Sequence, residues 1–226
     1  MDRGFEKELK ELRELILEMG GYVENSIDQA CNAIIDRKPG KFRLVTNYED
    51  RINEAHKQVD RQCLQLLARQ SLVAADLRFV LVVAKINSDL ERMGDQAYNI
   101  SFNGQSYLSY PPVHTRTDIL NIAKMVRKMV RDSLDAFVHL DVDLSQRVLE
   151  GDDSVDNAKD QIFNELKEYM KSQPNQIDAC MDLILIARNL ERLADHATNI
   201  AEEVIFLVTG DDVRHGTETT TKQSIL

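Results

Sequence analysis

The sequence predicts an all-α protein: two tandem three-helix bundles, pseudo-repeats of one another packed side by side, with six long helices in all. Three observations lead there. Apolar residues recur at spacings of three and four through six long segments, which is the period of an α-helix. Nine Gly, four Pro and no Trp in 226 residues leave few helix breakers. The second half of the chain also restates the first.

The first helix runs from about Phe5 to Asp36 on the stripe Phe5, Leu9, Leu12, Ile16, Met19, Val23, Ile27, Ala30 and Ile34. Gly20-Gly21 interrupts it at about 1 kcal/mol per Gly, which points to a kink or a close helix approach. Pro39-Gly40 ends the segment. The second helix, about Lys41 to Arg69, carries Val45, Glu49, Ile52, His56, Val59, Cys63 and Leu66 on one stripe. The third spans about Val73 to Ser101. Asn-Gly, Ser and Pro111-Pro112 then mark a linker over residues 103–116.

There the pattern restarts. In the fourth helix, Thr117 to about His139, Ile119, Ile122, Val126 and Val130 fall 103 positions after Ile16, Met19, Val23 and Ile27. The fifth, about Val142 to Lys171, sets Val148, Asp152, Val155, Lys159 and Ile162 at the same offset from Val45, Glu49, Ile52, His56 and Val59. The sixth, about Pro174 to Thr209, repeats the third at an offset of 100. The difference of three falls in a turn, where length varies at little cost. A tandem duplication accounts for this, with repeats over residues 5–102 and 117–209. The polar, aperiodic tail, 210–226, is expected to be disordered.

A polar signature is duplicated too. Leu90-Glu91-Arg92 is followed by Asp95 and Asn99, and Leu190-Glu191-Arg192 by Asp195 and Asn199. On a helix this spacing sets three oxygen-bearing side chains along one flank. If the first hairpin turns near Ser71, facing residue numbers sum to roughly 142. Glu91 and Asp95 then face Glu49, Asp50 and Asn53. A turn near Gln173 gives a sum of roughly 346, so Glu191 and Asp195 face Asp152, Asp153 and Asp156. Carboxylates at one level repel, by about 4 kcal/mol for a pair ~4 Å apart at an effective dielectric of about 20. A partly buried cluster must therefore take up protons, pair with arginine (Arg92 and Arg192 are adjacent), or bind a cation. Oxygen donors suit hard ions: Mg, Mn, Ca or iron. One isolated Glu-x-x-x-Asp would be read as a solvated helix face; duplication with matching acids on the facing helices favours ligation. The Glu-x-x-His of ferritin-like di-iron sites is missing. His56, whose counterpart is Lys159, reads as a surface or satisfied histidine.

Other classes are disfavoured. A net charge of −10 lacks the basic footprint of a nucleic-acid binder and does not suit direct capture of free phosphate or anionic lipid. Cys31, Cys63 and Cys180 show no metal-finger spacing and read as buried free thiols of a reducing cytoplasm. The charged N-terminus is unlike a signal peptide. Apolar runs such as Phe79 to Ala84 fall far short of the ~18 residues of a spanning helix, so a soluble chain is expected, reaching a membrane only through partners. No P-loop, nucleophile elbow or dinucleotide turn is visible, and no catalytic residues are expected.

Leu90 to Asp95, Asn189 to Val204 and Ala74-Ala75-Asp76-Leu77-Arg78 together resemble the PhoU family of phosphate-signalling regulators, over about residues 5 to 209. The resemblance implies metal binding at Glu91/Asp95 and Glu191/Asp195 and at their second-helix counterparts, Glu49/Asn53 and Asp152/Asp156. Asn53 replaces an acid, so the first site should be the less charged and the weaker. The cofactor would be a divalent or multinuclear hard metal: iron, Mn, Mg or Ca. The resemblance further implies a cytoplasmic, non-catalytic homodimer that negatively regulates the phosphate-starvation response. It would link the ATPase subunit of a phosphate ABC transporter to a sensor histidine kinase. Two rivals remain: a metal-dependent phosphate-ester hydrolase, and a structural scaffold whose acids are neutralised by arginine.

Overall fold

The structure, a computed structural model, describes residues 3–68, 73–113 and 119–213, with side chains from residue 6 onward. The turn near Ser71, the end of the predicted linker, Thr117, most of the predicted tail and the Phe5 side chain lie outside the described residues. Six helices carry the chain: α1 (Arg3–Ile35), α2 (Phe42–Leu67), α3 (Ala74–Tyr107), α4 (Ile119–His139), α5 (Val142–Ser172) and α6 (Ile177–Thr209). Short 3₁₀ turns at Pro39–Lys41 and Pro174–Gln176 lead into α2 and α6.

Helices α1 to α3 pack on one another, as do α4 to α6, and the two bundles join mainly along α3 and α6 with a smaller α1–α4 contact. The apolar stripes close into one core through both repeats. Leu12, Ile16, Ile52, Leu90, Met93, Val126, Phe137, Val155, Leu190 and Ile200 are all fully buried in it. Each such side chain contributes on the order of 1.5–3 kcal/mol. The thiols of Cys31, Cys63 and Cys180 are also buried and unbridged, and burial pushes Cys31 up to about 12. No helix among the described residues is long and apolar enough to cross a membrane.

The glycine pair in α1 serves a close approach. A Cβ at Gly20 would stand 3.0 Å from both δ-methyl carbons of Leu134 on α4, whereas Gly21 meets nothing. The end of α3 differs from expectation: the helix continues to Tyr107, past Ser101 and through Asn103-Gly104. Gly104 marks packing here. A Cβ at that position would lie 2.8 Å from Ile34 Cγ1 and Phe42 Cζ, so the residue lets α3 close on the α1–α2 corner.

Duplication reaches the strained backbone. Arg37 (φ 50°) and Leu140 (φ 53°), 103 residues apart, both adopt the left-handed conformation after α1 and α4. Each lets the next amide return to a helix carbonyl, Lys38 N to Ala33 O at 2.8 Å and Asp141 N to Ala136 O at 3.0 Å. The Arg37 guanidinium further donates to the Tyr110 carbonyl at 2.6 Å, tying this corner to the end of α3.

Polar contacts lock the α3–α6 seam. Lys85 Nζ donates to both carboxylate oxygens of Glu203, at 2.9 and 3.0 Å, and Glu203 is only 4 % exposed. Arg78, from the Ala74–Arg78 motif, lies over the Phe206 ring and donates to the Leu207 carbonyl at 3.4 Å.

Candidate metal centres

The two hairpins bring the predicted acids of facing helices to one level. In the first repeat, Glu49 and Asn53 stand one turn apart on α2, and Asn53 Nδ2 donates to Glu49 Oε1 at 3.2 Å. Opposite, Glu91 and Asp95 stand one turn apart on α3, with Gly94 between them. A side chain at Gly94 would bring its Cβ to 3.1 Å from Glu49 Oε2 and from Ile52, so glycine keeps room for the carboxyl group. Oε2 is buried and accepts no hydrogen bond. Burial, then the charge of Asp95, push Glu49 up to about 7; the Asn53 amide opposes this, while the nearby Asp95 carboxyl and the charge of Glu91 add to it. The first cluster thus eases its repulsion by raising the proton affinity of Glu49.

The second cluster finds another remedy. Asp152 and Asp156 on α5 face Glu191 and Asp195 on α6. Burial, then the neighbouring Asp195 and Asp156, raise Asp152 above the ordinary carboxylate range. Burial, then Glu191 and Asp156, do the same to Asp195, against the opposing charges of His196 and Lys159. Lys159 Nζ bridges the hairpin, 3.2 Å from Asp156 Oδ1 and 3.3 Å from Glu191 Oε1. Arg92 and Arg192 are exposed, and no ion pair joins either to these acids among the described residues. The arginine remedy is therefore not the one in use.

All eight predicted residues lie in two clusters, one per repeat. The donor set is oxygen-only, and the first cluster holds a buried carboxylate oxygen that has no hydrogen-bond partner and packs against Gly94, so hard-cation chemistry fits. The side chains do not yet converge: among the described residues, no three His, Cys, Asp or Glu groups are arranged to hold an ion as they stand. Capture requires the carboxylates to swing together. Asn199, the last oxygen of the signature, serves elsewhere. With His196 it contacts Asp89 Oδ1 across the α3–α6 seam, at 3.1 and 2.9 Å. His56 is engaged by the Asn87 carbonyl and by Asp60, each at 3.4 Å.

Residues 16–103 and 119–204 each match the family model described as the PhoU domain. The chain belongs to the PhoU family. A phosphate-specific transport system accessory protein PhoU homolog of Pseudomonas aeruginosa is 38% identical over 218 residues, spanning 93% of this chain and 88% of the relative. The accessory protein PhoU of Escherichia coli is 29% identical over 93% of the chain and 88% of its own length. A crystal structure of PhoU from Pseudomonas aeruginosa superposes with a TM-score of 0.89 at 36% identity, over 92% of this chain and all of that one. The phosphate transport system regulatory protein PhoU from Streptococcus pneumoniae gives 0.83 at 28% identity, over 92% and 99%. One PhoU domain match runs from within α1 into α3, the other from the start of α4 into α6. Sequence reasoning on this PhoU chain missed Lys159 as a partner of the acids. Its position three residues after Asp156, close to the level of Glu191 in the hairpin, was the available signal.

A pH dependence follows from Glu49. Its folded value, about 7, lies above the ordinary 4.5, so the fold favours the neutral acid. The associated stability is fully present below pH 4.5 and is lost as pH rises through about 7. Solvent screening of this half-buried group leaves a loss of about 1–2 kcal/mol. Melting of metal-free protein between pH 5 and 8 should show this decline, with Glu49→Gln removing that part of it. An unchanged slope in the variant would rule out Glu49 as the titrating group.

Proposed function

We propose that this PhoU-family chain is an accessory regulator of a phosphate transport system that holds hard metal ions at both acidic clusters. Glu49, Asn53, Glu91 and Asp95 would hold metal in the first repeat, and Asp152, Asp156, Glu191 and Asp195 in the second. Iron, Mn, Mg or Ca would supply positive charge that replaces the proton and the ammonium now relieving carboxylate repulsion. The observation that carries this reading is the repetition itself: acids from two facing helices at one level, once per hairpin, with Glu49, Glu91, Asp152 and Glu191 partly buried. A fold needing only a solvated surface has no reason to draw Glu49 and Glu91, and again their counterparts Asp152 and Glu191, partly out of water.

In this reading the protein works in the cytoplasm as a homodimer and catalyses no reaction. It negatively regulates phosphate uptake and phosphate-starvation signalling by passing transporter state from the ATPase subunit of a phosphate ABC transporter to a sensor histidine kinase. The acidic faces and the rigid α3–α6 seam would present the contacts. The test is affinity capture with the full chain from cells grown at high and at low phosphate. Recovery of a phosphate-transporter ATPase or its kinase in a phosphate-dependent amount is the expected result; recovery of an unrelated transport system instead would refute the assignment.

A further inference from the structure

The two clusters come from one duplicated pattern, yet they differ in what already sits on the acids. Lys159 extends from α5 to Asp156 Oδ1 at 3.2 Å, Glu191 Oε1 at 3.3 Å and Asp160 Oδ1 at 3.6 Å. Asp156 and Glu191 stand on opposite helices of the hairpin, so the ammonium bridges them much as a bound ion would. The matching position in the first repeat is His56. Its Nδ1 lies 3.4 Å from the Asn87 carbonyl and its Nε2 3.4 Å from Asp60. Asn87 completes that arrangement by donating to the His56 carbonyl and to Asp60 Oδ1, at 3.1 and 2.9 Å. The histidine is thereby engaged away from Glu49, Glu91 and Asp95.

We propose that Lys159 is a tethered counter-ion that makes the second cluster the weaker, conditional metal site, although it carries one more carboxylate than the first. This rests on the metal reading above and concerns how the two sites are ranked. Among the described residues, the three carboxylates of the first cluster have no ion pair with a built-in cation; the four of the second have Lys159, so the net formal charge is the same in both. What differs is the work of entry. An ion arriving at the second cluster must take Asp156 and Glu191 from a lysine that already holds both. At the first cluster the matching His56 is turned to Asn87 and Asp60, so an ion meets no such tether there.

The lysine has somewhere to go. A cleft of about 450 Å³ between α5 and α6 is lined by Lys159 itself with Asp160, Phe163, Ile184, Arg188 and Glu191. The four-carbon stem can keep apolar cover there while the ammonium returns to water. Metal at the second cluster thus goes with a released Lys159 beside Arg188, changing the charge of that cleft. The ranking inverts the one expected from Asn53 alone.

The test is titration of metal-free, full-length protein with Mn²⁺, reading free Mn²⁺ by its paramagnetic resonance signal. With the first cluster disabled by Glu49→Gln/Asp95→Asn, Lys159→Gln is expected to tighten the remaining binding by about tenfold or more. Lys159→Met, uncharged but with the stem kept, should do the same, and Lys159→Arg should leave binding weak. With the second cluster disabled by Glu191→Gln/Asp195→Asn, Lys159→Gln should change nothing. Melting curves establish that each variant is folded. Unaltered affinity in both uncharged variants of the first background would overturn the proposal while leaving metal binding intact. Failure of the wild-type protein to take up Mn²⁺ would remove the metal reading and this ranking with it.

Discussion

Replacing Lys85 with Met is expected to lower the unfolding free energy by about 3 kcal/mol at pH 7, as large a loss as many core truncations. Glu203 is almost fully buried at the α3–α6 seam, and Lys85 Nζ donates to both of its carboxylate oxygens. Methionine keeps the length but withdraws the ammonium, which also lies over the Phe206 ring, from a desolvated carboxylate. That asymmetry sets the size of the effect: Lys85 is itself partly exposed, but Glu203 is not, and removing the counter-charge of a buried carboxylate costs more than the pair contributes. The double variant Lys85→Met/Glu203→Leu should therefore recover much of the loss, because an apolar pair needs no counter-charge. Urea unfolding of the two variants checks this. A single variant within about 0.5 kcal/mol of wild type would show that the seam does not depend on the ion pair.

Metal should have an effect of comparable size in the opposite direction. A ligand that binds only the folded state at 1,000 times its dissociation constant stabilises by about 4 kcal/mol. For a chain of this size that is a rise in Tm of about 8–16 °C. The gain should be greater at pH 8 than at pH 6, since Glu49 still holds its proton at the lower pH and the ion must displace it. Differential scanning calorimetry of metal-free protein with added Mn²⁺ or Fe²⁺ measures it. A Tm indifferent to the ions at both pH values would mean that the clusters are served by proton and lysine alone.

The long-range geometry was legible because helices are regular. Rise per residue and a guessed turn place Cys63 against Val80 and His56 against Asn87, as the structure has them. The same arithmetic set Asp95 near the level of Glu49, whose carboxyl group it influences in the structure. What escaped depends on local shape or on single side chains. Asn103-Gly104 carries a turn's composition, but Gly104 is there because Ile34 and Phe42 leave no room for a Cβ. The left-handed Arg37 and Leu140 are residue types that do not announce positive φ. The third polar position of the signature follows helical spacing correctly, yet Asn199 reaches across the α3–α6 seam to Asp89, because periodicity within a helix does not identify the neighbouring helix. Lys159 escaped because a lysine among acids usually marks a solvated face.

The central claim is that carboxyl groups from neighbouring helices hold metal once in each repeat. The most direct measurement is elemental analysis of the untagged protein as purified, beside a Glu49→Gln/Asp95→Asn/Glu191→Gln/Asp195→Asn variant prepared identically and shown to be folded. Bound iron or manganese in the wild type that disappears from the variant is the predicted result. Equal metal content in the two proteins, or none in either after growth with those metals supplied, would contradict it.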